Sequence, residues 1–318
     1  MKPSKPARST HSRRDESPGQ KSDQPVRFSR EGNRQATSRE GNRQATSREG
    51  NQRTISPSRP SAPSIAHTAP QPERGDLIYG FRASEAVLTK RPETVHEVLV
   101  DFSQFEPVWR RSFDALKRAL PAHVRITETP SASLQRLTES TNHEGIAVRA
   151  AARSWVPAKD LKRLLVEGQL TAIALDRVRN PYNIGAILRS AAFFGVDVVI
   201  LGAPAPHPAL PPDAVRVAEG GAEHVRLART TDLAETLAQL RAVGVKVLGA
   251  ENDGAVDAFA FRFPHPSVLV FGHEREGLSD RVKANCDQMV AIRGTGAIQS
   301  LNVAIAASVL IGELTRTR

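Results

Sequence analysis

Five short, nearly continuous apolar runs that alternate with helical patterns along the carboxyl-terminal half constrain this chain most. They are Thr171 to Leu175, Val196 to Leu201, Val245 to Gly249, Ser267 to Phe271 and Gln288 to Ile292. Successive strand residues point to opposite faces, so a run that is apolar at every position must be covered on both sides. The segments between supply the cover. Ile184, Ile187, Leu188, Ala191 and Phe194 form one stripe at helical spacing, with Asn183 as the expected N-cap and Gly195 as the stop. Asp232 and Glu235 have capping-box spacing ahead of a helix from Leu233 to Val243, and Ser300 opens a closing helix that runs to Leu314. The alternation predicts an α/β fold with a parallel sheet covered by helices on both faces, and ligands in such sheets sit at the carboxyl ends of the strands.

Upstream, a shorter α/β unit spans residues 76–152, with strands at Val95 to Phe102, His123 to Ile126 and Ile146 to Ala150. Its helices are expected at Ala83 to Lys90, Pro107 to Leu120 and Ser131 to Glu139. Residues 153–170 read as a helical linker to the larger unit at 171–318. Residues 1–75 are different in kind. They hold few large apolar residues and a nine-residue repeat, Ser29 to Thr37, which recurs at Ser38 to Thr46 and decays by Thr54. A repeat with no apolar position has no face to stack, so the segment is expected to be a disordered tail, either a slipped duplication or an RNA-contacting arm.

The tail also carries most of the charge. It holds 15 Lys and Arg against 7 Asp and Glu, which is +8 of the chain's net +10. A polyanion-binding face on the folded part must therefore come from local clustering. Cys286 is the single cysteine, which excludes an internal disulfide and a cysteine-rich metal site. His207, His224, His265 and His273 form no HxxxH pair, and no metal is expected. With no apolar stretch behind the basic amino terminus and no run of membrane-spanning length, the expectation is a soluble cytoplasmic protein without membrane association.

Three polar turns follow strands. Asn180 to Gly185 leads into the helix with Arg189, four residues on from Gly185 and on its face, so Arg189 is either a ligand-facing cation or a solvated helix charge. Gly272-x-Glu274-x-x-Gly277 lacks the GxGxxG order and the lysine of a P-loop, and Glu274 could equally cap the next helix. Gly294-x-Gly296 precedes Ser300-Leu301-Asn302, where Ser300 could be only a helix cap. No glycine fingerprint follows the first strand, which removes a nucleotide-binding oxidoreductase.

Taken together and in order, Asn183-Ile-Gly185 through Arg189, Gly272 to Leu278 and Ser300-Leu-Asn-Val303 resemble the three signature motifs of the TrmH/SpoU branch of SPOUT RNA methyltransferases. The unit at 76–152, through Tyr79-Gly80 and Asn142-His-Glu-Gly145, is similar to the L30e-like RNA substrate-binding domain often attached in that family. The resemblance implies a sheet with a carboxyl-terminal trefoil knot, S-adenosyl-L-methionine as cofactor, a ribose 2′-hydroxyl of structured RNA (tRNA or rRNA) as methyl acceptor, and a homodimer. It places Gly272, Ile292 and Leu301 at cofactor-binding positions, and Asn183, Arg189, Glu274, Ser300 and Asn302 at catalytic or supporting ones. In many members the cofactor loop reads Ile-Pro-Met-x-Gly. Here it is Ile292-Arg-Gly-Thr-Gly296, and the loss of proline predicts a more mobile loop and weaker cofactor affinity.

On this reading the guanidinium of Arg189, which does not give up its proton, acts as a cation that lowers the pKa of the hydroxyl and steadies a nearby phosphate. Water or phosphate takes the proton. Glu274 orients Arg189 or a neighbouring amide, and Ser300 and Asn302 hold the ribose or order the loop. A non-catalytic RNA-binding or assembly factor that keeps the same fold is the alternative, and the altered Arg293 to Gly296 loop is the feature that favours it.

Overall fold

Apolar residues on both sides of the inner strands do produce a doubly covered parallel sheet. The computed structural model describes residues 75–202, 210–252 and 256–316. The tail with its repeats, except Gly75, lies outside the described residues, as does His207.

The first part of the chain runs β1 (Asp76–Tyr79), α1 (Phe81–Lys90), β2 (Val95–Val100), α2 (Pro107–Ala119), β3 (Arg125–Glu128), α3 (Ser131–Thr138) and β4 (Ile146–Ala150). Its sheet has the order β1-β4-β2-β3, with β4 antiparallel to both neighbours and β2 parallel to β3. Gly145 and its neighbours knit this unit: Glu144 accepts a hydrogen bond from the Phe81 amide at 2.7 Å, at the start of α1, and His143 Nδ1 accepts one from the Gly145 amide at 3.1 Å.

The second part runs α4 (Ala158–Glu167), β5 (Thr171–Leu175), α5 (Pro181–Phe194), β6 (Val198–Leu201), α6 (Pro212–Val217), β7 (Arg226–Arg229), α7 (Leu233–Arg241), β8 (Lys246–Ala250), β9 (Val256–Asp257), β10 (Ser267–Phe271), α8 (Asp280–Lys283), β11 (Gln288–Ala291) and α9 (Val303–Arg316). The sheet order is β7-β6-β5-β10-β8-β11-β9, and every pairing is parallel. Side chains alternate as the pleat demands. Ile173, Leu175, Leu269 and Phe271 share one core with residues of α5 and α9, whereas Ala172, Ala174, Val268 and Val270 share the other with residues of α4 and α7. The expected linker at 153–170 thus contains α4, whose Leu161 and Leu165 are fully buried in the second core.

Two expected helix starts move. α5 begins at Pro181 with Asn180 as its cap, accepting a hydrogen bond from the Tyr182 amide at 2.9 Å, so Asn183 lies inside the first turn. α9 begins at Val303, and its cap is Asn302 rather than Ser300: Asn302 Oδ1 accepts from the Ala304 amide at 2.8 Å.

The two sheets meet at a buried ion network. Glu223 pairs with Arg91 at 3.1 Å and Arg153 at 2.9 Å, while Asp76 pairs with the same two arginines at 2.8 and 3.4 Å. Tyr79 in β1 donates a hydrogen bond to Asp213 in α6 across the same junction. Among the described residues no helix is long and apolar enough to cross a membrane.

Candidate active site

The turns after β5 and β10 and the start of α9 converge. Asn183, in the first turn of α5, donates from Nδ2 to Glu274 Oε1 at 2.7 Å. Its carbonyl oxygen in turn accepts from Asn302 Nδ2 at 3.2 Å. Three of the expected site residues therefore form one hydrogen-bonded chain, and it joins all three motifs. Because Asn183 acts as donor and acceptor at once, its amide orientation is fixed by its neighbours. Asn302 does two things: its oxygen caps α9 while its nitrogen reaches Asn183.

The turn holding Glu274 is closed on itself. His273 N donates to Gly277 O at 3.0 Å and Gly277 N donates to His273 O at 2.9 Å. Gly272 packs directly on Gly277 and Leu278, leaving no room for a Cβ, so its glycine is required by the closure of the turn.

An unforeseen clamp holds this turn from the β5 side. Asp176, nearly fully buried, accepts from the Ser279 amide at 2.7 Å. Next to it Arg177 pairs with Glu276 and donates from Nη2 to Gly277 O at 3.0 Å. Arg177 does so from φ 62°, in the left-handed region that non-glycine residues disfavour.

Arg189 is not part of the chain of amides. Its guanidinium pairs with Glu219 at 2.9 Å, with the two side chains 58% and 47% exposed. Of the two partners expected for Glu274, Arg189 or a neighbouring amide, it is the amide of Asn183 that Glu274 holds, while Arg189 pairs with Glu219. Nor is Gly185 open to a ligand. A Cβ there would lie 2.6 Å from Ala214 O and 2.7 Å from Val217 Cβ, so this glycine lets α6 pack closely on α5. Ser300 is exposed and makes no hydrogen bond to another described residue.

The segment from Arg293 to Asn302 is exposed throughout, with Ile292 half-buried at its start and Leu301 42% exposed near its end. Nothing lies within 4 Å of a Cβ built on Gly294 or Gly296. Ile292 and Leu301 thus put apolar side chains at the two ends of a segment whose glycine backbone is open. Among the described residues no group of His, Cys, Asp or Glu is placed to hold a metal ion.

Comparison with known proteins identifies the family. The family model described as SpoU rRNA Methylase family matches residues 170–312, and the one described as RNA 2'-O ribose methyltransferase substrate binding matches residues 77–156. The 23S rRNA (guanosine-2'-O-)-methyltransferase RlmB of Ralstonia nicotianae is 33% identical over 248 residues, which are 77% of this chain and 97% of that protein. The chain belongs to the SpoU rRNA methylase family. A second SpoU relative, RlmB of Acinetobacter baylyi, is 35% identical across 76% of this chain and 98% of its own length. The crystal structure of the SpoU methyltransferase AviRb from Streptomyces viridochromogenes, in complex with the cofactor AdoMet, superposes with a TM-score of 0.61 at 27% identity, covering 76% of this chain and 90% of that one.

Proposed function

We propose that this protein transfers the methyl group of S-adenosylmethionine to a ribose 2′-hydroxyl in ribosomal RNA, with a guanosine of 23S rRNA as the acceptor by analogy with the RlmB relatives. The observation that carries the site assignment is the chain Glu274 to Asn183 to Asn302, which ties the three motifs together at strand ends. When bound, the cofactor supplies an electrophilic methyl group on a sulfonium. What the protein must add is alignment and help for a weak nucleophile.

Gly272, Ile292 and Leu301 would hold the cofactor, through backbone groups and apolar surface. Glu274 fixes Asn183, and Asn183 with Asn302 presents a rigid amide surface to the ribose. Ser300, free to rotate, supplies a hydroxyl for the sugar. Arg189 supplies positive charge near the 2′-oxygen and the adjoining phosphate. Its pairing with Glu219 is a surface ion pair, a kind that contributes about 0–1 kcal/mol, so an RNA phosphate can displace the carboxylate.

The active unit is a homodimer on this proposal, in which Arg189 serves the site of the neighbouring protomer. Supporting it, Tyr182, Arg189 and Phe193 lie on one exposed stripe of α5, with Phe193 82% exposed. Ile305 of α9 is also exposed, on a helix bound to α5 through the 2.7 Å contact of Ser190 with Ser308. The trefoil knot belongs to the same proposal. In its support, β11 lies on the far side of β8 from β10, yet α9 returns to pack on α5 beside β5. The unit at 76–152 serves as the RNA-binding domain.

Incubation of the purified protein with tritiated S-adenosylmethionine and unmodified 23S rRNA tests the reading. Label resistant to alkaline cleavage at one ribose supports it. Cofactor binding by calorimetry without any transfer would replace it with an RNA-binding role.

A further inference from the structure

The carboxyl end of α1, the segment after β4 and the amino end of β7 border a cleft of about 370 Å³. Its floor is apolar: Trp155, Val156, Val225 and Leu227 line it. The position of Trp155 is fixed by its neighbour Val156, whose amide donates to Leu227 O at 2.7 Å and which bridges Ala228 along the outer edge of the sheet. Arg229 lies over the Trp155 ring, its guanidinium carbon 5.2 Å from the centroid.

The cations of the cleft fall into two sets. Arg91 and Arg153 are neutralised, sharing Asp76 and Glu223 as described above. Lys90 and Arg226 also line it, are exposed, and have no side-chain hydrogen bond or ion pair to another described residue. The cleft thus has two uncompensated positive charges above an aromatic floor. All residues after the tail sum to only +2, so this local excess is not a reflection of overall charge.

We infer that the cleft is a second RNA subsite, which takes an unpaired nucleotide of the substrate, its base against Trp155 and its flanking phosphates on Lys90 and Arg226. The inference rests on RNA being the substrate. Its chemistry is that of single-strand recognition, where aromatic surfaces take bases of any sequence and cations track the backbone. A cleft near 370 Å³ is at the small end of the range for ligand sites and suits one nucleotide rather than a duplex. The place is separate from methyl transfer. β7 is the outer strand, two strands from β5, and the cleft lies at its amino end, whereas Asn183 and Glu274 follow the carboxyl ends of β5 and β10. Lined by both units and the segment between them, it would extend the footprint on RNA to a single-stranded stretch at a distance from the methylated nucleotide.

The chain has two tryptophans, and Trp109 stacks on Phe81 at 4.9 Å. In the full-length Trp109→Phe variant, emission reports Trp155 alone. Titration with a ten-nucleotide uridine oligomer is expected to give saturable quenching, absent with a duplex of equal length and lost in Lys90→Glu/Arg226→Glu. If Trp109→Phe does not fold, the same pair of charge changes in the wild-type background is read by anisotropy of a labelled oligomer. Those changes are expected to weaken binding about tenfold or more and to lower the slope of log affinity against log salt by about 1.4, the value for two phosphates on a single strand. Calorimetric binding of S-adenosylmethionine stays unchanged. No quenching by the oligomer, equal quenching by the duplex, or unaltered RNA affinity in the double variant would each overturn the subsite while leaving methyl transfer intact. Quenching by the oligomer in a protein that transfers no methyl group would instead overturn the catalytic reading and leave the subsite standing.

Discussion

Replacing Glu223 with glutamine tests the junction between the two sheets. The change keeps the shape of the side chain and removes one charge, leaving the guanidiniums of Arg91 and Arg153 to share Asp76 alone. The side chains of Arg153, Glu223, Asp76 and Arg91 are only 5%, 6%, 10% and 12% exposed, so solvent screens them little. Exposed pairs are worth about 0–1 kcal/mol, whereas breaking a buried pair costs about 3–5 kcal/mol because a charge is left without its partner. Burial here selects the second range, and a loss of about 3 kcal/mol corresponds to a fall in melting temperature of about 6–12 °C for a unit of this size. Differential scanning calorimetry of the wild type and variant measures it. Addition of 1 M sodium chloride to the wild type is expected to leave the transition nearly in place, since buried pairs are weakly screened. A shift of under about 2 °C, or a wild type that loses the same stability in salt alone, would refute the argument that the network is buried and binds the two units.

Other predictions follow from the site. Arg189→Ala should retain calorimetric binding of S-adenosylmethionine and lose methyl transfer, and equal loss of both would argue against its role at the ribose. Arg177→Gly relieves a left-handed backbone but removes the ties to Glu276 and Gly277 and the 3.5 Å pairing with the nearly buried Asp176. Its melting temperature should fall, because the nearly buried Asp176 loses its cation, while KM for the cofactor rises roughly tenfold, the signature of a turn held less well before binding; unchanged KM would show that the clamp does not act on the cofactor-binding turn that begins at Gly272. Burial, and then the neighbouring Asp287, pushes the Cys286 thiol up to about 11. The folded state therefore holds this proton more tightly than the unfolded chain, so its contribution to stability is complete below the ordinary thiol pKa and is lost as pH rises through about 11. Alkylation by iodoacetamide at pH 8 should be slow until denaturant is added, and fast native labelling would contradict this. Removal of residues 1–73 should weaken RNA binding at low salt and leave the melting temperature unchanged, as expected of a basic segment with no core; equal affinity of the two forms would remove the arm.

The parallel sheet could be read in advance because its inner strands cannot be anything else: Thr171 to Leu175 and Ser267 to Phe271 are buried at every position. β7 escaped the same reading. Its residues are Arg-Leu-Ala-Arg, and an edge strand with arginine at each end has too short an apolar run to stand out. α6 was hidden by Pro211 and Pro212, although proline at a first helical position is a start signal, as Pro181 is for α5. At the site, motif order pointed to Asn183, Glu274 and Asn302, but not to the order in which they bond. That order depends on which turn faces which, and Asn183 is 91 residues from Glu274 and 119 from Asn302. The Arg177 clamp and the Glu219 partner of Arg189 were illegible for the same reason. Helix spacing put Arg189 on the face of Gly185, whereas packing used that glycine for α6.

The central claim is that this chain methylates a ribose, and mapping 2′-O-methyl groups in 23S rRNA after incubation with the purified protein tests it most directly. Wild-type protein should produce one new alkali-resistant position, at a guanosine, dependent on S-adenosylmethionine and absent with Arg189→Ala. A methyl group on a base instead of a ribose, or no new methyl group from a protein that binds both cofactor and RNA, would contradict it.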